Sequence, residues 1–379
     1  MKILLVGEYS RLHNSLKEGL IKLGHDPKIV SYSNGFRNFP TDYSIDYTFC
    51  RLKFVNYIRQ AIYKLSNFDI ANLEHGLRFY FLLSKFKDYD VVQFINERPI
   101  KTTKRFELYL IKKIFSNNKK VFVLSCGVDY QTLKYDLSNK DKKSLLQPYL
   151  QNTELGKYYE YIPEYLSANY KKIHDFIFKN CNGVIVTDLD YIEANKTHSK
   201  FTKLIPYPIN YEKLVFHEQI IEEKIIIFLG INQYSYYQKG INYFEKALKQ
   251  IEVKYPNKVE IIKTQNVPYA EYINLYNKSH ILLDQAFTYD QGYNALEAMA
   301  KEKVVFTGAE TEFTEYYKLT ERVCINAIPD VDYLVNELSF LIENPEEIIA
   351  IGKRARSFVE KEHNYIKIAQ EYLNVWNQN

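Results

Sequence analysis

The chain has 379 residues, 46% of them apolar and 25% charged, the balance of a globular protein long enough to bury two cores. Its net charge of +4 is too mild for a nucleic-acid partner, which asks for a concentrated basic face. Four cysteines without a CxxC pair argue against a zinc site or a disulfide framework and fit a reducing cytoplasm, and no stretch reaches the ~18 apolar residues of a spanning helix.

Residues 2–7, KILLVG, form a continuous apolar run of the kind buried on both faces of a parallel sheet. The run is shorter than the ~7–15 residues of a leader's apolar region and reads as a first strand. Residues 12–23 follow with Leu16, Leu20, Ile21 and Leu23 near helical spacing, and Gly24 stops that helix. His25, Asp26 and Pro27 turn the chain into a second strand at 28–31. Strand, helix, glycine stop and strand make a βαβ unit, so a parallel sheet with right-handed crossovers is expected. Strands at 90–95, 120–125 and 183–187 continue the alternation, with helices at 54–65, 77–86, 105–115 and 166–179. Residues 32–50 and 126–155 follow neither period and read as long loops, a common seat of function in α/β domains.

Residues 204–210, LIPYPIN, hold two prolines and mark a boundary. Beyond it come a strand at 224–230 and a helix at 240–251, with Ile241, Phe244, Leu248 and Ile251 on one face. Strands at 259–263, 281–284, 303–307 and 322–325 repeat the architecture of the first half, and two helices follow from Pro345. The expected fold is therefore α/β, with two doubly wound parallel-sheet (Rossmann-like) domains facing across a cleft that holds the ligand site. The 35 tyrosines read chiefly as a compositional habit, replacing Leu and Phe at half-buried positions.

The richest stretch is residues 281–308, ILLDQAFTYDQGYNALEAMAKEKVVFTG. A strand ends at Asp284, a polar loop carries Asp290, Gln291 and Gly292, and a helix starts near Tyr293 and Asn294 and carries Glu297. A helix N-terminus presents unpaired N–H groups and a partial positive charge, which suit a diphosphate, and Gly292 lets the backbone come close. Glu297 stands one turn in, where a carboxylate can accept from ribose hydroxyls; the plainer reading is an acid that favours a helix start. In residues 228–240, FLGINQYSYYQKG, a strand ends at Gly230, Asn232 and Gln233 open the loop, and Lys239 stands where the next helix begins. A lysine there can reach phosphate, although alone it would read as a solvated surface residue.

These two segments together resemble the donor site of the family 4 retaining glycosyltransferases of the GT-B fold. That signature is an acid, a nearby glycine and a second acid eight residues after the first, leading into Leu-Glu-Ala-Met-Ala; residues 296–300 match its second half. The resemblance implies that Glu297 holds the donor ribose and that Lys239 meets the donor diphosphate. The donor site would then comprise Gly230, Asn232, Gln233, Lys239, Asp290, Gln291, Gly292, Tyr293, Asn294 and Glu297. The position of the first acid is Tyr289, which leaves Asp290 or Gln291 to contact the transferred sugar. The family's arginine after the strand glycine is also missing, Ile231, Asn232 and Gln233 standing there, so leaving-group stabilisation falls on Lys239 and helix N-termini.

The first half resembles the family more loosely. Gly7 closes the first strand, and Gly24-His25-Asp26 resembles the family's Leu-Gly-His turn at the end of the sheet away from the cleft. Residues 125–129, SCGVD, resemble its His-Gly-x-Asp acceptor loop with Cys126 in place of the histidine, which makes Asp129 a candidate catalytic or acceptor ligand against the plain reading of an Asx turn. Gly7, His13, Asn96 and Glu97 follow strand ends and are assigned to the acceptor side with Asp129. Residues 205–209 resemble the hinge between the domains. The implied division is residues 1–212 for the acceptor and 213–361 for the donor, with a last helix, 362–379, packing back on the first domain.

The implied activity is metal-independent, configuration-retaining transfer of a sugar from a nucleotide diphosphate sugar, with no other cofactor. The implied acceptor is a glycan or a lipid-linked glycan in surface polysaccharide synthesis, handled in the cytoplasm or at the inner face of the membrane. Two alternatives stay open: a nucleotide-sugar epimerase of the same fold, and a non-catalytic nucleotide-sugar-binding protein. The triplets Asp188-Leu189-Asp190 and Asp330-Val331-Asp332 have the DxD form of a metal clamp, but a strand end and a helix start explain both. Neither GxGxxG after the first strand nor a Walker lysine is present. Residues 101–120 are basic with apolar residues at helical spacing, which fits a helix lying on anionic lipid and equally one packed on its own sheet.

Overall fold

The computed structural model describes residues 1–33, 39–66, 68–216, 218–265 and 267–379. Seven strands make the first sheet: β1 (Lys2–Val6), β2 (Asp26–Ser31), β3 (Tyr43–Ser44), β4 (Val91–Phe94), β5 (Lys120–Ser125), β6 (Gly183–Val186) and β7 (Phe201–Leu204). They lie in the order β3-β2-β1-β4-β5-β6-β7, all parallel. Five make the second: β8 (Ile225–Ile231), β9 (Val259–Gln265), β10 (Ile281–Leu283), β11 (Val304–Thr307) and β12 (Ile325–Asn326). Their order is β12-β11-β10-β8-β9, again all parallel. The two doubly wound parallel sheets expected from the alternation are thus present.

The strands are buried because they are apolar on both faces. Leu4, Val6, Val92 and Val123 pack with Leu110, Ile111 and Ile114 on one side of the first sheet, and Ile3, Leu5, Phe122 and Leu124 pack with Leu16, Leu20 and Tyr372 on the other. The latter cluster runs on through Tyr207, Ile209 and Tyr293 into Leu296, Val305 and Phe358, so one apolar core joins the domains. The helix Pro345–Glu362 leads to the last helix, Tyr365–Gln378, which lies on α1 (Leu12–Lys22) of the first domain. A side chain on Gly19 of α1 would stand 2.3 Å from the Tyr365 carbonyl oxygen, so only glycine admits this approach. Trp376 is fully buried there and donates from Nε1 to Gln93 Oε1 at 3.1 Å.

Several boundaries differ from the sequence pattern. β2 begins at Asp26 and includes Pro27, because β3 joins only at Val30 and Ser31 and leaves the proline on an open edge. The helix expected at 77–86 is α3, Ile70–Leu82, since the Asp69 side chain accepts from Ala71 N and caps an earlier start. The strand expected at 322–325 pairs only at Ile325 and Asn326. α2 (Lys53–Ser66) and α4 (Lys104–Asn117) run close to expectation. The unpatterned stretch 126–155 contains α5 (Tyr130–Ser138), and it folds with the residues after it around Leu133, Leu146 and Tyr159. The expected loop at 32–50 includes residues 34–38, which lie outside the described residues.

Trp376→Ala removes the largest side chain that ties the last helix to the first sheet. Chemical denaturation should show a loss of about 3–5 kcal/mol, the usual range for truncating a buried Trp.

Candidate functional site

In a parallel sheet the crossovers leave a crevice where neighbouring strands send their connections to opposite faces. The first sheet opens between β1 and β4 and the second between β8 and β10. The loops after β8 and β10 carry most of the expected donor residues.

Lys239 ends the β8 loop. Its Nζ lies 2.9 Å from Asp284 Oδ1, at the end of β10, and its carbonyl accepts from Ala286 N at 3.1 Å. Asp284 is buried, whereas the lysine side chain keeps 31% of its surface exposed, so the cation is anchored and still reachable. Gly240 follows at φ +72°, the left-handed region, and caps the helix Ile241–Lys254 without a side-chain bond to its N–H groups. Asn294 Nδ2 also approaches Asp284 Oδ1, at 3.5 Å. Glu297 lies buried in the helix Tyr293–Met299. Lys239, Asp284 and Asn294 therefore share the crevice, and Glu297 stands three residues further along the helix that Asn294 opens.

Other expected donor residues have structural duties. A side chain on Gly230 would meet the Tyr272 ring at 2.8 Å, so packing against Tyr272 accounts for this glycine. Asn232 and Gln233 are exposed, and Asn232 Oδ1 caps a short turn through Tyr234 N at 3.0 Å. Tyr293 OH makes a 2.8 Å bond with Ser15 Oγ and donates to Pro208 O at 3.2 Å, which makes it a clasp between the domains. Gln291 donates from Nε2 to Gly308 O at 2.7 Å, and its buried Oε1 has no hydrogen-bond partner. Gly292 has room around it; the nearest atom to an added Cβ is Gln285 Nε2 at 3.6 Å.

On the opposing side, the β1–α1 loop holds Ser10 and Arg11 at φ 50° and 74°, left-handed values that cost non-glycine residues about 1–3 kcal/mol each. Gly7, at φ +87°, faces Ile95 so closely that a Cβ would stand 2.2 Å from its Cγ2. Its carbonyl accepts from His13 Nδ1 at 2.7 Å, which leaves Nε2 as a bare acceptor, buried and without a partner. Burial pushes the His13 pKa down to about 4, so the ring is neutral. Glu8 beside it takes two bonds from Asn14 on Oε2 and none on Oε1, and burial raises its carboxyl to about 7.

Asp129 and Glu97 are bound into the fold of the first domain. Asp129 is 1% exposed and caps α5: its oxygens accept from Thr132 N at 2.7 Å, Thr132 Oγ1 at 2.8 Å and Ser125 Oγ at 2.6 Å. Three donors hold the carboxylate in the cap, so the Asx reading accounts for its geometry. Glu97 is equally buried, with Oε1 2.7 Å from His174 Nδ1.

Acids that the sequence reading set aside do reach the cleft. A cavity of about 130 Å³ lies between the domains, lined by Asp136, Lys143, Asp188 and Asp190 from one side and by Thr288 and Gly292 from the other. Asp190 Oδ1 accepts from Tyr289 N across the cleft at 2.9 Å, and Lys143 pairs with Glu310. Thr288 Oγ1 is buried there with no partner. Burial and then the charge of Asp190 raise the Asp136 carboxyl to about 7; burial, opposed by the Gln291 N–H and reinforced by Asp190, does the same to Asp290. Burial also raises Asp190 to about 7 and lifts Asp188 far above the ordinary range, with Asp190 and Asp290 adding to the latter. The DxD pattern of Asp188 and Asp190 concealed this, because Asp188 also does what a cap does, accepting from Asp190 N at 3.0 Å. Among the described residues no three His, Cys, Asp or Glu side chains are grouped so as to hold a metal ion.

Comparison with known proteins places this geometry. Sucrose-phosphate synthase from Thermosynechococcus elongatus superposes with a TM-score of 0.61 at 14% identity, over 100% of this chain and 99% of that one. HepE from Anabaena, solved with UDP and glucose, gives 0.58 at 11% identity over 100% of both chains. A mutant of TarM from S. aureus, solved with fondaparinux, α-GlcNAc-glycerol and UDP, gives the same values. The chain has the GT-B fold. Residues 240–374 match a family model described as glycosyl transferase-like, a stretch of the second GT-B domain that includes Glu297 and begins one residue after Lys239. Curated protein sequences give no match to the chain.

The buried acids of this GT-B cleft make a pH test. The Asp290 carboxyl sits near 7 in the fold against an ordinary 3.8, so its contribution is whole below about 4 and is lost as pH rises to about 7. Asp290→Asn has no such loss. Thermal melts from pH 4 to 8 should show the variant gaining on wild type through that window, with a level difference above it.

Proposed function

We propose that this chain is a glycosyltransferase that moves a sugar from a nucleotide diphosphate sugar to a glycan or lipid-linked acceptor. The observation that carries this is the Lys239–Asp284 pair at the β8/β10 crevice, with Asn294 beside it and Glu297 in the same helix as Asn294. A half-exposed ammonium held by a buried acid, next to the uncapped start of the helix Ile241–Lys254, suits a diphosphate. The glycosyl transferase-like match over residues 240–374, and the UDP bound in two structures of the same fold, point the same way.

In this reading the bond from the sugar's anomeric carbon to the diphosphate breaks as one to an acceptor hydroxyl forms, and the acceptor gives up its proton. Lys239 and the N–H groups of the helix start meet the charge gathering on the leaving diphosphate, so no metal is assigned to the step. Glu297 orients the donor through its ribose. Asp290 and Gln291, on the loop where Tyr289 replaces the family's acid, face the transferred sugar. Retention of configuration is carried by the resemblance to family 4, and the acceptor enters from the acid-lined side of the cavity.

A melting-temperature screen against nucleotide diphosphates and their sugars tests the donor. At about 100 times its dissociation constant the right nucleotide stabilises the protein by about 2.7 kcal/mol. Lys239→Ala and Glu297→Ala should each weaken that nucleotide about 10–100-fold, the worth of a hydrogen bond to a charged group. Binding followed by nucleotide release only when acceptor is added supports transfer. Turnover of the donor alone to an isomer would mean an epimerase, and no stabilisation by any nucleotide would remove the donor site.

A further inference from the structure

α2 breaks the pattern of the other long helices: none of its 14 residues is buried. Phe54, Tyr57, Ile58, Ala61 and Leu65 recur at helical spacing and form one apolar stripe, and this stripe points outward. Phe54 is 76% exposed and Leu65 89%. Val55, Asn56, Arg59 and Ile62, off the stripe, are the half-buried residues. α3 adds a second outward row through Leu73, Leu77 and Phe81. Tyr80 of α3 then meets Tyr109 of α4 at 6.4 Å, so the apolar surface continues across three helices. Monomers rarely expose so large a contiguous apolar patch without a use for it.

The stripe is held outward. Arg59 makes two bonds to Asp69, at 2.6 and 2.7 Å, which pin α2 to the cap of α3. Glu74 of α3 accepts from Thr48, Phe49 and Cys50 N–H groups at 2.8–2.9 Å and fixes the turn leading into α2. With these staples α2 cannot roll its apolar face inward.

We propose that the α2–α3 face docks on an anionic lipid bilayer. Residues 49–66 contain Arg51, Lys53, Arg59 and Lys64 and no acid. Lys53 and Lys64, at the two ends of α2, have no ion pair among the described residues, and Lys113 extends the basic rim over the Tyr109 ring at 5.5 Å. Phe, Tyr and Leu on one face with lysines alongside is the arrangement that lies in a lipid headgroup layer, the lysine stems reaching back to phosphate. Of the acids nearby, Asp69 and Glu74 are turned into the fold by the bonds just described, and Asp46 is paired with Arg51 at 2.7 Å, which leaves the two lysines as this segment's unpaired charges among the described residues. Among the described residues no helix is long and apolar enough to cross a membrane, so contact would be made from the surface. α4, the basic segment that the sequence singled out, buries Leu110, Ile111 and Ile114 against its own sheet and contributes only its rim. This docking surface stands independently of the transfer reading.

Co-sedimentation of the full chain with vesicles tests it, comparing pure phosphatidylcholine with phosphatidylcholine containing about one-third phosphatidylglycerol. Binding is expected to the anionic vesicles only and to weaken as salt rises. Phe54→Ser and Leu65→Ser should each cost about tenfold in partitioning and together abolish it, with the melting temperature unchanged. Phe54→Trp provides a direct reading: the one native tryptophan, Trp376, is fully buried, so a blue shift on adding vesicles reports the new side chain. No binding to anionic vesicles, or binding that survives the paired Ser substitutions, overturns the proposal. A concentration-dependent dimer lost in those variants, without vesicle binding, would assign the face to a second copy instead.

Discussion

Between β8 and β10 the second sheet sends its connections to opposite faces, and the gap that results governs the rest of the cleft. Ile241, Phe244 and Leu334 pack on one face, Tyr276, Leu296 and Phe358 on the other. Two loops are therefore forced to meet at the strand ends, and Lys239 meets Asp284 there. A buried acid without a partner would be costly, and a lysine without one would swing free. Pairing them places a cation at the mouth of the crevice beside a helix start that no side chain caps.

The facing loops of the first sheet supply the opposite condition. Asp136, Asp188 and Asp190 of the first domain line the cavity and Asp290 of the second stands near them; Asp136, Asp190 and Asp290 are raised to about 7 by burial before any other influence. Asp290 meets Asp188 and Asp190 only because the domains are together, held by Tyr293 on Ser15 and Pro208, by Gln238 on the Tyr158 carbonyl, and by Asp190 on the Tyr289 amide. Asp136, Asp188 and Asp190, held toward the neutral form by burial, and the unpartnered hydroxyl of Thr288 line the cavity, while Lys239 and Lys143 bring positive charge to the cleft. That division of labour matches a ligand with an anionic end and a polyhydroxylated end.

Much of this was legible in the chain. The alternation of apolar runs with 3.6-period segments identified both sheets, and the Leu-Glu-Ala-Met-Ala stretch located the loop after β10. Lys239 drew attention because it stands at a helix start after a strand. Asp129 drew an acceptor reading because an Asx cap and an acceptor ligand look alike until its three donors are seen. Asp188 was passed over for the mirror-image reason: it is a cap that also lines the cavity. The basic run 101–120 drew attention to α4, whereas the exposed stripe belongs to α2, whose sequence pattern is that of an ordinary core-facing helix.

The sequence by itself determined which segments become strands and helices, because burial on two faces or one leaves its period in the order of residues. It also determined the fold class, since strand–helix alternation permits little besides parallel sheets. Only the tertiary structure decided which loops face each other, which face of α2 is turned outward, and which acids share one cavity. Those outcomes depend on contacts between residues far apart in the chain, such as Tyr289 with Asp190, 99 positions away, and Tyr293 with Ser15, 278 away. No local period records them.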